Sequence, residues 1–271
     1  MASINTEFSK ELSKFGAFDF NACYNCGTCT AVCSLSTEED SFPREMIRYS
    51  VLGLEDDIKG SLKPWLCYYC GTCTTHCPQE ADPGELMMSL RRWLTSVYDW
   101  TGLSGLLYRS LPASITAMVV MALTVIAYAF FNDFNLEKIM HTGHIFEMAA
   151  IATVFAVILL PNLIRMWNFT ILKPGIRVPF KKYVTGMWSL IVHMFTQKRT
   201  LGCDDSQVRW FEHLILVFGY LGLLFTTVFL NWFSSESTFI IVLGYVVSII
   251  IFTVTVIFVS ERISKKRELS K

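Results

Sequence analysis

The sequence predicts an all-α protein in which a helical, cysteine-rich domain precedes a bundle of about four membrane-spanning helices. Residues 1–110 hold eight of the nine cysteines, whereas residues 111–260 hold four long apolar runs. Hydrophobic residues make up 52% of the 271-residue chain, more than in an ordinary soluble protein. We therefore expect one domain over residues 1–105 and a membrane domain over residues 106–271.

The four apolar runs are long enough to cross the hydrocarbon core of a bilayer, which takes about 20 residues. They cover residues 111–131, 145–164, 214–233 and 238–259, and only the second contains a charged side chain, Glu147. Helices that are this long and apolar on all sides are uncommon in soluble cores. The sequence thus predicts a multi-pass protein of the cytoplasmic membrane.

The distribution of charge predicts the orientation of these spans. Basic residues concentrate in residues 165–210 and in the C-terminal tail, whereas the link over residues 132–144 has one lysine, Lys138. Because basic loops stay on the cytoplasmic side, both termini are expected there. The N-terminal residues lack the apolar core of a signal peptide, which also places the cysteines in the cytoplasm. With 23 basic and 23 acidic residues, the chain offers no case for nucleic acid binding.

The basic segment between the second and third spans contains an amphipathic pattern near residues 180–197. Apolar residues from Phe180 to Phe195 recur at helical spacing, and Lys182, Ser189 and His193 fall on the other face. Such a helix could lie on the inner membrane surface, or it could pack against the cysteine domain or a partner subunit.

The cysteines form a duplicated motif, Cys23-x2-Cys26-x2-Cys29-x3-Cys33 and Cys67-x2-Cys70-x2-Cys73-x3-Cys77-Pro78. This spacing is typical of two [4Fe-4S] clusters, in which the fourth cysteine of each motif binds the other cluster. We assign Cys23, Cys26, Cys29 and Cys77 to one cluster, and Cys67, Cys70, Cys73 and Cys33 to the second. Zinc is the alternative, but zinc sites use separated pairs of cysteines.

The segments that follow the motifs predict helices rather than the strands of a compact ferredoxin. Pro43 fits a first helical turn, followed by Met46, Ile47, Val51 and Leu54 at the spacing of one face. After the second motif, Asp82 fits a helix cap. The domain is therefore predicted to be a helical two-cluster ferredoxin.

The second motif with Trp65-Leu66 before it and Leu90-Arg91-Arg92 after it resembles the C-type subunit of heterodisulfide reductase. The stretches Arg209-Trp210-Phe211-Glu212-His213 and Gly219-Tyr220-Leu221-Gly222-Leu223 look like the haem-bearing E-type membrane subunit of the same group. Both modules, in this order, are similar to the C-type subunit family of quinone-interacting membrane-bound oxidoreductase complexes.

That resemblance implies electron transfer between menaquinone and cytoplasmic flavin and iron-sulfur partner subunits. It further implies a link to adenylylsulfate reductase in dissimilatory sulfur metabolism. Two alternatives stay open. One is an electron-transfer subunit of a heterodisulfide reductase-type complex or another flavoprotein dehydrogenase, and the other is a membrane redox sensor.

A b-type haem would need two histidines at one depth on facing helices. His213, near the inner surface, is the first candidate, and His193 is its best partner. His141 and His144 lie at the outer end of the second span, a membrane thickness away from His213. Glu147 follows His144 by three residues on the same helix face, so this pair is a candidate for proton transfer. Its alternative is a carboxylate that reaches the headgroup zone.

Overall fold

A computed structural model describes residues 4–197, 207–226 and 238–263 of the chain. The described residues are helical and contain no strand, which confirms the all-α fold class. The chain divides into two compact units, one of residues 1–67 and 76–177, and the other of residues 68–75 and 178–271. The domain boundary predicted near residue 105 stays a prediction.

The N-terminal part of the first unit consists of short helices around one longer helix. Their bounds are α1 (Phe8–Ser13), α2 (Thr28–Ala31), α3 (Arg44–Leu52), α4 (Glu55–Lys59), α5 (Lys63–Leu66), α7 (Pro83–Tyr98) and α8 (Leu103–Arg109), with a 3-10 turn at Phe20–Ala22. Helix α6 (Thr72–Thr75) belongs to the second unit. Asp82 caps α7, because its side chain accepts a hydrogen bond of 3.4 Å from the Glu85 N–H.

Helix α7 is the centre of the packing in this part of the chain. Its Leu86, Leu90 and Trp93 are buried, as are Phe8 of α1 and Met46 of α3. The Phe8 and Trp93 rings meet edge to face with centroids 4.9 Å apart. Fully burying side chains of this size contributes about 1.5–3 kcal/mol each, so this core holds the short helices on α7.

Val51, one residue of the apolar face predicted for α3, does not face the core. Val51 is 42% exposed, whereas Met46 and Ile47 on the same helix are buried. Val51 and Leu52 line an open cavity of about 270 Å³ that also reaches Cys23. The far side of α3 therefore borders the first cysteine motif instead of the core.

Within the described part of the chain, three helices are long and apolar enough to cross a membrane: Leu111–Phe131, Leu136–Leu172 and Thr238–Ser260. The first is α9 (Leu111–Phe131), and the last belongs to α14 (Thr238–Ile263). The predicted third span, residues 214–233, coincides with α13 (Gln207–Leu224) as far as it is described. Its last seven residues lie outside the described part of the chain.

The second span is longer than the sequence suggested. Instead of residues 145–164, a continuous helix covers Leu136–Leu172, here called the long helix. It comprises α10 (Leu136–Thr153), a π-helical segment Val154–Leu159, α11 (Leu160–Trp167) and a second π-helical segment Asn168–Leu172. Pro161 does not end the helix, because the wider π turn just before it accommodates a residue that lacks an N–H donor.

The long helix contacts the end of α7 at the level of this proline. Pro161 has no N–H to donate to the Val157 carbonyl four residues earlier. The Trp100 indole Nε1 donates to that carbonyl at 2.6 Å, and the Trp100 backbone N–H donates to Asn162 Oδ1 at 3.3 Å. One turn further, Arg165 donates to the Val97 carbonyl at 3.1 Å. The end of α7 and the long helix are therefore joined directly within the first unit.

In the second unit, α12 (Phe180–Thr196) is the helix predicted by the amphipathic pattern. Helices α13 and α14 run antiparallel: moving forward along α13 from Gly219 to Gly222, the neighbouring residue on α14 moves backward from Ile251 to Val247. A Cβ on Gly219 would lie 2.7 Å from Ile251, and a Cβ on Gly222 would lie 3.7 Å from Val247. The closest approach of the two helices is therefore at Gly219.

Candidate iron-sulfur centre

The two cysteine motifs share their backbone conformation as well as their spacing. Asn25 and Gly27 in the first motif have φ of 65° and 89°, and Tyr69 and Gly71 in the second have 55° and 83°. In each motif the glycine carbonyl accepts the first hydrogen bonds of a short helix, α2 or α6. The duplication seen in the sequence is therefore a duplication of structure.

This conformation turns backbone N–H groups toward the sulfur atoms. Asn25 donates its backbone N–H to Cys23 Sγ at 3.3 Å, and Ala81 donates to Cys77 Sγ at 3.4 Å. Left-handed residues alternating with ordinary ones form concave N–H surfaces that suit anions. Such loops fit thiolates and the anionic cluster they would hold.

Threonine hydroxyls occupy equivalent positions in both motifs. Thr28 Oγ1 lies 3.3 Å from Cys26 Sγ, and Thr72 Oγ1 donates to Cys70 Sγ at 3.5 Å. The side chain and backbone N–H of Thr28 lower the pKa of the Cys26 thiol, which favours the thiolate that iron binds. Burial raises the pKa of Cys29, and Cys23 raises it further. In the second motif Cys73, the equivalent of Cys29, is likewise buried.

The first unit brings Cys77 into the neighbourhood of the first motif. The Tyr24 phenol has a raised pKa, chiefly because of the Cys26 charge and its hydrogen bond, with further contributions from Cys77 and Cys23. Cys77 therefore lies within electrostatic range of the first motif. Cys33, the equivalent of Cys77, is likewise followed by a turn, in which its carbonyl accepts from the Ser36 N–H at 3.1 Å.

The eight cysteines of the two motifs form no disulfide with one another. Among the described residues, no three His, Cys, Asp or Glu side chains converge on the position of a single ion. A cuboidal cluster binds each thiolate to a different iron atom, so its four ligands stand further apart than those of one zinc ion. The donor set and the loops thus suit clusters, and cluster ligation by the eight named cysteines remains the prediction.

An arginine on α7 holds the segment that leads into the second motif. Arg91 donates to the carbonyls of Pro64 at 2.7 Å and Trp65 at 3.0 Å, and also to the Cys67 carbonyl. Burial lowers the pKa of Arg91, and the Cys67 charge opposes that shift. No local pattern in the sequence indicates this role of Arg91, because the carbonyls that it contacts lie more than twenty residues away in the chain.

The histidines proposed for haem lie in different units. His193 on α12 and His213 on α13 belong to the second unit, where Trp210 donates to the Thr196 carbonyl at 2.9 Å. His193 lies three residues before Thr196 and His213 three residues after Trp210, so each is within one turn of that hydrogen bond. The His213 ring lies 5.4 Å from the Phe258 ring.

The remaining candidates lie on α10 in the first unit. His141, His144 and Glu147 are all exposed on its surface. Near them, the Tyr128 hydroxyl of α9 donates to Thr142 Oγ1 at 2.7 Å, which joins the two helices at this end. The exposed fraction alone does not favour proton transfer over contact with headgroups.

Comparisons with known proteins agree with the site. Residues 22–81 match the 4Fe-4S dicluster domain family. Over 64 residues the chain is 32% identical to the C-type subunit of the H(2):CoB-CoM heterodisulfide,ferredoxin reductase of Methanothermobacter thermautotrophicus and of Methanothermobacter marburgensis. The alignment covers 24% of this chain and 35% of each relative, so the chain spans well under half of the relatives it matches. No solved structure matches the chain.

The geometry of the cysteine loops and the family match point to the same kind of domain. The matched residues contain all eight cysteines of the two motifs, with their loops, hydroxyl contacts and turns. The same chain contains helices long and apolar enough to cross a membrane. The protein therefore carries an iron-sulfur electron-transfer domain joined to membrane helices.

Proposed function

We propose that the chain is a membrane electron-transfer subunit that passes electrons between the menaquinone pool and cytoplasmic flavin and iron-sulfur partner subunits. The observation that carries this proposal is the direct junction of a dicluster domain to a membrane helix through Trp100, Asn162 and Arg165. A cluster-bearing domain fixed on a membrane helix suits exchange between a lipid-soluble carrier and a soluble one. Two one-electron carriers also divide the two-electron oxidation of a quinol.

In this proposal Cys23, Cys26, Cys29 and Cys77 hold one cluster, and Cys67, Cys70, Cys73 and Cys33 hold the other. The clusters supply one-electron transfer when bound. The chain's own residues shape that chemistry: the loops present N–H groups to sulfur, Thr28 and Thr72 contact thiolates, and burial of Cys29 and Cys73 keeps water from part of the site.

A b-type haem between His193 and His213 is part of the proposal. Its support is their position within one turn of the Trp210 to Thr196 hydrogen bond on neighbouring helices. The orientation is proposed from the basic residues of the 165–210 segment, with both termini in the cytoplasm. Quinol oxidation releases protons, and His144 with Glu147 on one face of α10 is the candidate route for them.

A heterodisulfide reductase-type complex is the second candidate, and the likeness to the C-type subunit of those enzymes favours it. That likeness also supports assembly with further subunits. The link to adenylylsulfate reductase rests only on the resemblance of the whole arrangement to quinone-interacting oxidoreductases. Purification of the complex with its native partners distinguishes the two candidates, since each requires different co-purifying subunits.

The direct test uses the full chain in vesicles that contain reduced menaquinone analogue. We expect about eight iron atoms and matching acid-labile sulfide per chain, a b-type haem band, and cluster reduction only when quinol is present. Cys77→Ser should lower the iron content, whereas Cys203→Ser, a cysteine outside both motifs and outside the described residues, should not. Fully loaded clusters that quinol fails to reduce would refute the quinone function and leave the cluster assignment standing.

A further inference from the structure

Arg44 lies against the loop of the first cysteine motif. It begins α3, and its Nε donates to Asn25 Oδ1 at 2.7 Å. The guanidinium also covers Gly27, since a Cβ placed on that glycine would lie 3.4 Å from Arg44 Nη1. Asn25 in turn donates its backbone N–H to Cys23 Sγ. One arginine therefore contacts the loop on both sides of Cys26.

Arg44 shares an open cavity with Glu39 and Glu45 but forms no direct ion pair with either of them. The nearby acids Asp40 and Glu45 both pair with Lys63. Within the described residues, Arg44 makes no ion pair, and its fixed partner is the neutral amide of Asn25. A full positive charge thus stands beside the thiolates of the first motif.

The second motif has the matching backbone but a different side chain at the position equivalent to Asn25. Tyr69 occupies the position of Asn25 and offers no amide oxygen to a guanidinium. Arg91 acts instead on the carbonyls of Pro64, Trp65 and Cys67, at the entrance of the motif. The duplicated loops therefore have the same shape and different electrostatic neighbours.

We propose that Arg44, positioned by Asn25, raises the reduction potential of the cluster held by the first motif and so makes the two clusters unequal. Reduction adds one negative charge to a cluster, and a nearby fixed positive charge stabilises that reduced state. The inference depends on the clusters and not on quinone, so it can fail while the proposed function stands, and the reverse also holds.

The test is a redox titration of the full, detergent-solubilised chain, followed by electron paramagnetic resonance, with iron and sulfide measured on each sample. Arg44→Gln should lower the reduction equilibrium constant of one cluster by about tenfold, which is about 59 mV for one electron, and leave the other cluster unchanged. Arg44→Lys keeps the charge and should restore most of the potential.

Arg48→Gln is the matched control. Arg48 follows one turn later on α3 and lines the same open cavity of about 370 Å³ as well as the cavity that reaches Cys23, but it makes no contact with Asn25 comparable to that of Arg44, and its side chain is exposed to solvent. Its replacement should shift the potential far less than that of Arg44, because water screens the charge. Equal shifts from both variants, or none from Arg44→Gln, would overturn the proposal.

If Arg44→Gln fails to retain its cluster, a second variant still tests the proposal. Asn25→Ala keeps the guanidinium but removes the oxygen that positions it, and should lower the same potential by a smaller amount. If Asn25→Ala retains iron and leaves both potentials at their original values, Arg44 does not act through Asn25 and the proposal fails.

Discussion

Replacing Arg91 by methionine removes the guanidinium from three carbonyls while keeping an unbranched side chain against α5. A hydrogen bond to a charged group contributes about 1.5–3 kcal/mol when it is buried. Arg91 and the Pro64 and Cys67 carbonyl groups are partly buried, so water replaces some of the lost bonds. We therefore expect a loss of about 3 kcal/mol, close to that of two well-formed bonds.

The assay follows the visible absorption of the clusters in increasing urea. With a slope of about 1–3 kcal/mol per molar urea, the midpoint for cluster loss should fall by about 1–3 M. Arg109→Met is the control, since its ion pair with Glu11 is 3.5 Å long and 45% exposed on the arginine side. Such surface pairs contribute about 0–1 kcal/mol. An unchanged midpoint for Arg91→Met would show that these carbonyl contacts do not hold the second motif.

Three further perturbations test the membrane helices and their junction. Gly219→Ala should lower the free energy of unfolding by about 1–3 kcal/mol, because the added Cβ would overpack against Ile251. Gly222→Ala should change it little, because its Cβ would lie at an ordinary contact distance from Val247. Thermal unfolding in detergent measures both variants. Trp100→Phe removes one hydrogen bond, worth about 1 kcal/mol, and should speed proteolysis after α7, while Trp188→Phe on exposed α12 should not. Asp99→Asn should reduce the loss of stability of the protein in acid, as measured by the far-ultraviolet circular dichroism of the protein against pH.

The sign of the Asp99 effect follows from its surroundings. Burial alone would raise the pKa of Asp99, but hydrogen bonds from the side chains and backbone N–H groups of Ser104 and Thr101 hold it well below its usual range. The stabilisation is therefore complete above about pH 4, the pKa of an unfolded aspartate, and is lost as pH falls toward the folded pKa. If the stability of Asp99→Asn falls with decreasing pH in the same way as that of the original chain, this account is wrong.

Equal stability of Gly219→Ala and Gly222→Ala would show that α13 and α14 are not in contact at Gly219. Equal proteolysis of Trp100→Phe and the unaltered chain would show that the indole does not hold the junction. The first result would concern the packing of the second unit and the second that of the first unit, and both would leave the cluster chemistry unaffected.

The sequence predicted the features that depend on local pattern. The cysteine spacing, the Asp82 cap and the helical class are encoded within a few neighbouring residues, and the structure has the helices and the cap. The cluster ligands follow from spacing in the same way, and their assignment stays a prediction together with the haem histidines.

The features that escaped prediction depend on distant parts of the chain. Arg44 meets Asn25 nineteen residues away, and Arg91 meets Cys67 twenty-four residues away. Neither pair has a periodicity that could indicate it. The extent of the long helix also escaped prediction, because the apolar run marks only residues 145–164 whereas the helix begins at Leu136 and ends at Leu172.

The length of the long helix couples the clusters to the thickness of the bilayer. Its 37 residues extend about 55 Å, whereas the hydrocarbon core measures about 30 Å. A helix that exceeds the core tilts when the bilayer thins. Because Trp100 and Arg165 attach the cysteine domain to this helix, the domain must follow that tilt. In the proposed membrane arrangement, lipid chain length would thereby set the tilt of the domain that this helix carries.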